Sequence, residues 1–372
     1  MNSGKEDTGK SQEDILKSNR NILSAHYDIG QLIRQERIYR GYINDSYRIE
    51  MLRDGQKCRY LMRRYRKGTP EEKVRFEQAL LLELQIRRFK FSPRLILTKD
   101  GTSYVRIGRQ VKNQAHKNYT AVISFLSGND KYDWDTPLCT DEELKSSAKI
   151  LSLYHNTIYN WKGIDCWREL SNFDEINLMA TKWKVFARNT AKSPFDDYFL
   201  EQFDLLINMI NIIPPQKIYH ALPRLAVHGD YHPGNLKYRG GKVTGVFDFG
   251  WSKIDARCFD VGLAIMYFCT TWEDTNDGIL QLDRVENFLG TYQKKATKNQ
   301  TIGPLNKLEL EYLPHMIHVG NLIVVDWILC EYYITGQHPQ QNFKYLQHSM
   351  WLNRWLECNW EELASCIQQH ST

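Results

Sequence analysis

The stretch AVHGDYHPGNLKYRGGKVTGVFDFG, residues 226–250, holds the residues whose types and spacing suit chemistry. Gly240-Gly241 lies between two alternating runs and is a favoured two-residue hairpin turn. Centred on that turn, the register sets Asn235 opposite Val246. Directly opposed residues share a face, as do residues two apart along a strand. Asn235 and Asp248 then project from one face, a diagonal step of roughly 7–8 Å apart. Two side-chain oxygens so placed suit one divalent cation. Hard cations such as Mg2+ take oxygen ligands and fill the rest of the shell with water or phosphate oxygens. Asp230 precedes Asn235 in the loop that enters the hairpin. A third carboxylate there is placed to orient or deprotonate a hydroxyl. These are the parts that phosphoryl transfer needs.

His228-x-Asp230-x-x-x-x-Asn235 has the spacing of the kinase catalytic loop, and Asp248-Phe249-Gly250 reproduces its metal-binding triplet. Alone, neither motif carries weight; in this order, joined by a hairpin, they rarely arise by accident. The variant HGDYHPGN resembles the aminoglycoside phosphotransferase, choline kinase and homoserine-kinase-like families, small-molecule kinases with a protein-kinase-like fold. The resemblance implies an α+β chain with two lobes, an N-terminal antiparallel sheet with one helix and a larger, mostly helical C-terminal lobe. It implies ATP and Mg2+ as cofactors. Asp230 becomes the base or hydroxyl-orienting residue, and Asn235 and Asp248 become the Mg2+ ligands. His232 stands where protein kinases carry a phosphate-contacting lysine, so it serves either the phosphate or the loop. His228 reads as an orienting residue.

A kinase also needs a cation on a strand for the nucleotide phosphates and a helix glutamate to hold that cation. Tyr60-Leu61-Met62-Arg63 fits such a strand, with Leu61 and Arg63 on one face. Arg63 is the preferred cation and Arg64 the one-residue-slip alternative. Glu77 shares a helix face with Val74, Leu81 and Leu84. A carboxylate on an apolar stripe needs a partner, and the expected one is Arg63; Glu83 is the competitor. The glycine-rich loop of protein kinases is absent. Its place falls to the turn Arg40-Gly41-Tyr42-Ile43-Asn44-Asp45-Ser46, with Asn44 and Ser46 as phosphate-facing candidates. Ile123 to Leu126 is the expected connection between lobes.

No A-P-E signature follows the metal triplet, so a peptide acceptor lacks its platform and a small-molecule alcohol is favoured. An amino alcohol, amino acid, sugar or aminosugar fits. The resemblance implies that Asp260 braces the catalytic loop. Asp326 and Glu331 interrupt an apolar helical run and are the substrate candidates, with internal cations as rival partners. Tryptophans such as Trp134 and Trp327 read as core or as a cation-stacking wall. The rival functions are a nucleotide-binding pseudoenzyme of the same fold and an antibiotic-modifying phosphotransferase.

The elements that must position these residues are legible in outline. Residues 1–18 read as a disordered tail, 19–128 as a nucleotide-binding lobe and 129–372 as a catalytic and substrate-binding lobe. Strands are expected between Arg37 and Met51, at Gln56–Arg66, Arg94–Thr98, Tyr104–Ile107 and Ala121–Leu126. Thr69-Pro70-x-Glu72 and Thr140-x-x-Glu143 read as capping boxes that open helices. Lys plus Arg exceeds Asp plus Glu by 49 to 44, too small an excess to call for a nucleic-acid or membrane partner. The best apolar run, Leu322 to Cys330, contains Asp326 and is short for a membrane span. Eight cysteines without a C-x-x-C pair fit reduced thiols in the cytoplasm. Oligomeric state is left open.

Overall fold

The computed structural model describes residues 12–39, 43–108, 118–164, 169–273, 277–298, 301–336 and 338–370. Two compact units divide the chain, Met1–Ser127 and Gly128–Thr372. The first runs α1 (Gln12–His26), β1 (Gln31–Ile38), β2 (Asp45–Arg53), β3 (Gln56–Arg64), α2 (Glu71–Ile86), β4 (Leu95–Ile96), β5 (Val105–Ile107) and β6 (Asn118–Ser124). Its antiparallel sheet has the order β1-β2-β3-β6-β4, with β5 also on β6.

Both faces of this sheet are covered, and the period of two along the strands decides what each face meets. Tyr47, Ile49, Met51, Met62 and Val122 pack beneath α1 with Ile22, Leu23 and Tyr27. Ala121 and Tyr119 of β6 cluster with Val74 of α2 on the opposite face. Within β3, Met62 therefore joins the α1 side, Arg63 turns to α2, and Arg64 returns to α1. Residues 12–18, expected as tail, are helical, and Ile15 and Leu16 reach the sheet cluster. Residues 1–11 and Gly41 lie outside the described residues.

The helix after Thr69 forms without the expected capping box. Pro70 is the N-cap, and the Thr69 hydroxyl donates to the Arg66 carbonyl at 2.8 Å. A hydroxyl committed backward leaves the first helical N–H groups uncapped by that side chain. Thr140 and Glu143 do form their box.

The second unit continues with α3 (Asp141–Ile158), α4 (Asn172–Arg188), α5 (Pro194–Glu201), α6 (Phe203–Met209), α7 (Gln216–Ala221) and β7 (Arg224–Val227). Then come β8 (Leu236–Arg239), β9 (Lys242–Val246), β10 (Lys253–Ala256), α8 (Arg257–Cys269), α9 (Leu282–Thr297), α10 (Lys307–Cys330), α11 (Pro339–Cys358) and α12 (Trp360–Gln368). Among the described residues, two short ribbons interrupt the helices, β7 with β10 and β8 with β9. Every residue of α8 is buried. It packs on α10 so closely that a Cβ added at Gly262 would lie 2.8 Å from the Met316 carbonyl carbon. With its π-helical continuation, α10 spans Lys307–Thr335 and is long and apolar enough to cross a membrane, yet most of it is buried inside this unit. It touches α4, α8, α11 and α12, which is the environment of a core helix.

Candidate active site

The HGDYHPGN loop connects β7 to β8. Asp260, fully buried on α8, accepts the backbone N–H of His228 at 2.7 Å and of Gly229 at 2.9 Å. The His155 ring on α3 gives Asp260 a third contact at 3.0 Å and meets the Tyr292 hydroxyl at 2.8 Å. Burial alone would raise the Asp260 carboxyl; His155, His228 and the loop N–H groups outweigh it and hold the group below its ordinary value. Asp260 thus braces the loop, as the family resemblance implied. His155 was missed, although it lies on the buried stripe of α3 with Leu144, Ala148 and Leu151. A histidine on such a stripe requires a partner.

Gly229 carries φ +76, and a Cβ there would lie 2.3 Å from the Trp251 carbonyl oxygen. Only glycine lets the loop pass that strand-to-helix corner. The turn fixes both histidines. His228 accepts the Asp230 N–H at Nδ1 (3.3 Å), so its Nε2 proton faces the Phe247 carbonyl at 3.1 Å. Burial pushes His228 below its ordinary value despite Asp260, Asp230 and Asp248 nearby. A neutral, doubly engaged ring orients the loop. His232 accepts the Gly234 N–H at Nδ1 (3.0 Å), which leaves Nε2 as the proton-bearing nitrogen, 3.6 Å from Asp230 Oδ2. That spacing is electrostatic rather than a hydrogen bond. The ring also lies 5.2 Å from that of Tyr267.

Asp230 is partly exposed, with 23% of its side chain open to solvent. Burial pushes its carboxyl up, but His232, His228 and Asn235 prevail and keep it low. Asn235 Nδ2 donates to Asp230 Oδ2 at 2.8 Å and to the Asp230 carbonyl at 2.9 Å. With the amide nitrogen so committed, Oδ1 is the free end of Asn235, and no donor among the described residues takes it.

The hairpin differs from the expected register. Arg239 pairs with Lys242 and Tyr238 with Val243, but a bulge between Lys237 and Tyr238 then shifts the ladder, so Leu236 rather than Asn235 faces Val246. Thr244 is the extra residue. Asn235 closes a short 3-10 turn, Pro233–Asn235, and its carbonyl accepts the Phe247 N–H at 3.1 Å. Asp248 adopts the left-handed conformation, φ 65 and ψ 64. Strand parity therefore governs neither residue. The turn and the strained backbone aim them instead, and strain of this kind in a non-glycine residue concentrates at ligand-binding sites. Oxygen donors from an amide and a carboxylate fit a hard divalent cation.

Within the N-terminal unit, Arg63 donates to Glu77 Oε1 at 2.8 Å, and both side chains are almost fully buried. Arg64 donates instead to Asn19 of α1 at 2.7 Å, and Glu83 pairs with Arg87 at 2.6 Å. Ser46 lies across from Arg63 in the β2–β3 ladder. Asn44 Oδ1 accepts the Arg66 N–H at 3.1 Å and so pins the end of β3.

The substrate candidates fare differently. Asp326 is met from inside, by Lys182 Nζ at 2.5 Å and Trp183 Nε1 at 2.8 Å. Its charge requires no ammonium from a substrate. Glu331 opens the π-helical turn and accepts the Thr335 hydroxyl at 2.8 Å. Trp134 is the centre of an aromatic group, with ring centroids 5.5 Å from Trp272, 5.8 Å from Trp327 and 4.1 Å from Tyr345. Its neighbour Asp133 adjoins the HGDYHPGN loop: a Cβ on Gly234 would lie 3.2 Å from the Asp133 carbonyl carbon.

An antiparallel sheet bearing a buried Arg–Glu pair, with a helical unit holding a braced H-x-D…N loop and a D-F-G triplet, defines a protein-kinase-like phosphotransferase of the small-molecule kinase class. More particularly, the chain belongs to the phosphotransferase enzyme family (APH), which matches residues 34–292. The homoserine kinase of Zymomonas mobilis subsp. mobilis is 22% identical over 254 residues, 68% of this chain and 70% of that protein. The homoserine kinase of Polaromonas naphthalenivorans is 30% identical over 123 residues, and this match spans 36% of that protein's length and 32% of this chain. Among solved structures, a microcompartment-associated aminopropanol kinase superposes with a TM-score of 0.63 at 14% identity, covering 94% of this chain and 98% of that one. An amicoumacin kinase bound to AMP-PNP and Ca2+ gives 0.62 at 13% identity, covering 96% and 94%.

Proposed function

We propose that this protein transfers the γ-phosphate of ATP to the hydroxyl of a small polar acceptor, with Mg2+ as the divalent cation. The observation that carries the reading is the Asp230–Asn235 contact in a loop braced by Asp260, followed by a left-handed Asp248. When bound, the cation neutralises charge on the phosphate oxygens; Asn235 Oδ1 and the Asp248 carboxylate would hold it. Asp230, kept ionised, accepts a hydrogen bond from the acceptor hydroxyl and fixes its direction of attack. His232 presents Nε2 beside that carboxylate. Arg63, held by Glu77, supplies a permanently charged fork for nucleotide phosphates, with Ser46 and Asn44 near the same edge of the sheet.

The acceptor we favour carries an amine as well as a hydroxyl. Relatives named for homoserine and aminopropanol support this, as does the aromatic group around Trp134, whose Trp272 and Trp327 are only partly buried. Such rings attract ammonium groups, and Lys344 already stands over Trp272 at 5.9 Å. A cytoplasmic setting is part of the reading, since the described cysteines are all free thiols. The test is transfer from ATP to pooled amino alcohols, hydroxy amino acids including homoserine, sugars and aminosugars, read by phosphorus NMR. Wild type yields a phosphoester from an amine-bearing pool. Asp230→Asn yields on the order of 10²–10⁴-fold less. ATP binding without any phosphoester from any pool would refute the reading in favour of a nucleotide-binding regulator.

A further inference from the structure

The C-terminal end of α2 and the turn beyond it border a half-open cleft of about 400 Å3, lined by the exposed Gln85, Arg88, Lys90 and Arg94 and by the buried Phe89 and Ser92. Its lining holds three cations and no acid. Among the described residues, the side chains of Arg88, Lys90 and Arg94 make no ion pair or hydrogen bond. Glu83, an acid in the last turns of α2, is occupied by Arg87.

Cations at a helix C-terminus ordinarily answer its free carbonyls and its dipole. Here backbone donors take three of the last four carbonyls: Arg87 N–H bonds Glu83 O at 2.9 Å, Arg88 N–H bonds Gln85 O at 3.1 Å, and Phe89 N–H bonds Leu84 O at 2.8 Å. The side chains are not needed as caps. Arg88 moreover has φ 61, in the left-handed position that helix ends reserve for glycine. An arginine there is kept against its conformational preference. Beneath it the floor is firm. The Ser92 and Phe89 side chains are buried, and the Ser92 hydroxyl donates to the Phe89 carbonyl at 3.3 Å.

We propose that this cleft is a binding site for a phosphate-bearing small molecule, held by Arg88, Lys90 and Arg94. Guanidinium forks match phosphate oxygens. The volume lies within the range of small-molecule pockets, and a polyanion relieves the repulsion among three like charges. The site uses no residue of the HGDYHPGN loop and neither Arg63 nor Glu77.

Inorganic pyrophosphate is the probe, titrated calorimetrically into the full chain as wild type, Arg88→Gly and Arg94→Ala, with each melting temperature recorded. Wild type binds. Both variants bind at least tenfold more weakly, and Arg88→Gly melts at the same or a higher temperature because glycine relieves the left-handed backbone. Equal isotherms for all three would place the pyrophosphate elsewhere and overturn the proposal, as would no binding to wild type at 10 mM, a concentration on the order of the weakest useful affinities. If Arg88→Gly lost stability along with binding, Arg94→Ala would decide. Unchanged melting with lost affinity supports the site, and wild-type affinity overturns it.

Discussion

Asp230 is held in a state that suits orientation better than proton capture. His232, His228 and Asn235 keep its carboxyl below the ordinary value against the effect of burial, so it is ionised throughout the neutral range. A weak base placed on a hydroxyl suffices where the transition state is loose. The pH profile follows. In the proposed reaction the ionised form is the working one, and its value is depressed, so the acid limb due to Asp230 should fall below about 3.9, the ordinary value for aspartate. With an acceptor whose own groups do not titrate there, kcat/KM should stay level between pH 5 and 8 as far as this residue governs it. A limb near pH 6 that disappears in Asp230→Glu would contradict this. Arg63 and Glu77 answer to a different rule. Both are buried, and removing one takes the direct ion-pair contact from the other's buried charge. Glu77→Ala should cost about 3–5 kcal/mol in urea denaturation and raise the KM for ATP more than it lowers kcat.

At the level of elements, the HGDYHPGN loop is shaped by a residue that touches no reactant in the proposed chemistry. Asp260 ties the β7 end to α8 and, through His155, to α3. Asp260→Asn replaces an acceptor-only group with one that presents N–H to backbone N–H. Its expected cost is about 1.5–3 kcal/mol, the range for hydrogen bonds to a charged group, with a fall in kcat although the loop sequence is intact. Circular dichroism melts beside turnover measure both. Gly262→Ala forces a methyl against the Met316 backbone and should cost about 1–3 kcal/mol, measurable by denaturation. The same elements explain what the sequence disclosed. The kinase loop was legible because its residues lie within one short stretch and its motif is spaced by local backbone geometry. Arg63 meeting Glu77 was legible because one lies on a strand face of period two and the other on an apolar helix stripe. The bulge at Thr244 was not, since nothing local marks which hairpin residue is extra, and it moved Asn235 out of its expected pairing. Nor was Lys182 visible as the partner of Asp326, because that contact joins α4 to α10 across 144 positions.

Across the molecule, the buried histidines set how stability answers to pH. His155, His228, His318 and His348 are all held below their ordinary value, and burial is the leading cause for each. His318 is the clearest case: it is pushed down to about 4, with its Nε2 proton on the Met209 carbonyl at 2.8 Å. The unfolded chain takes up these protons near pH 6.5, whereas the folded chain takes them up only at lower pH, near 4 for His318. Between those values the unfolded state binds more protons, so stability falls as pH falls. At 1.36 kcal/mol per unit, His318 alone accounts for about 3 kcal/mol between pH 7 and pH 4. That is a large share of the roughly 5–15 kcal/mol that holds a typical domain together. The depressed carboxyls of Asp230 and Asp260 act in a separate window, with stability complete above about 3.9 and lost as pH falls through their folded values. Histidine-driven loss therefore comes first. Melting temperature at constant ionic strength should hold from pH 8 to 7, then decline steadily from about pH 6.5. His318→Gln keeps a donor for the Met209 carbonyl without the titration, so its decline should be shallower. A melting temperature level to pH 4.5, or a variant with the wild-type slope, would remove the histidines from this role.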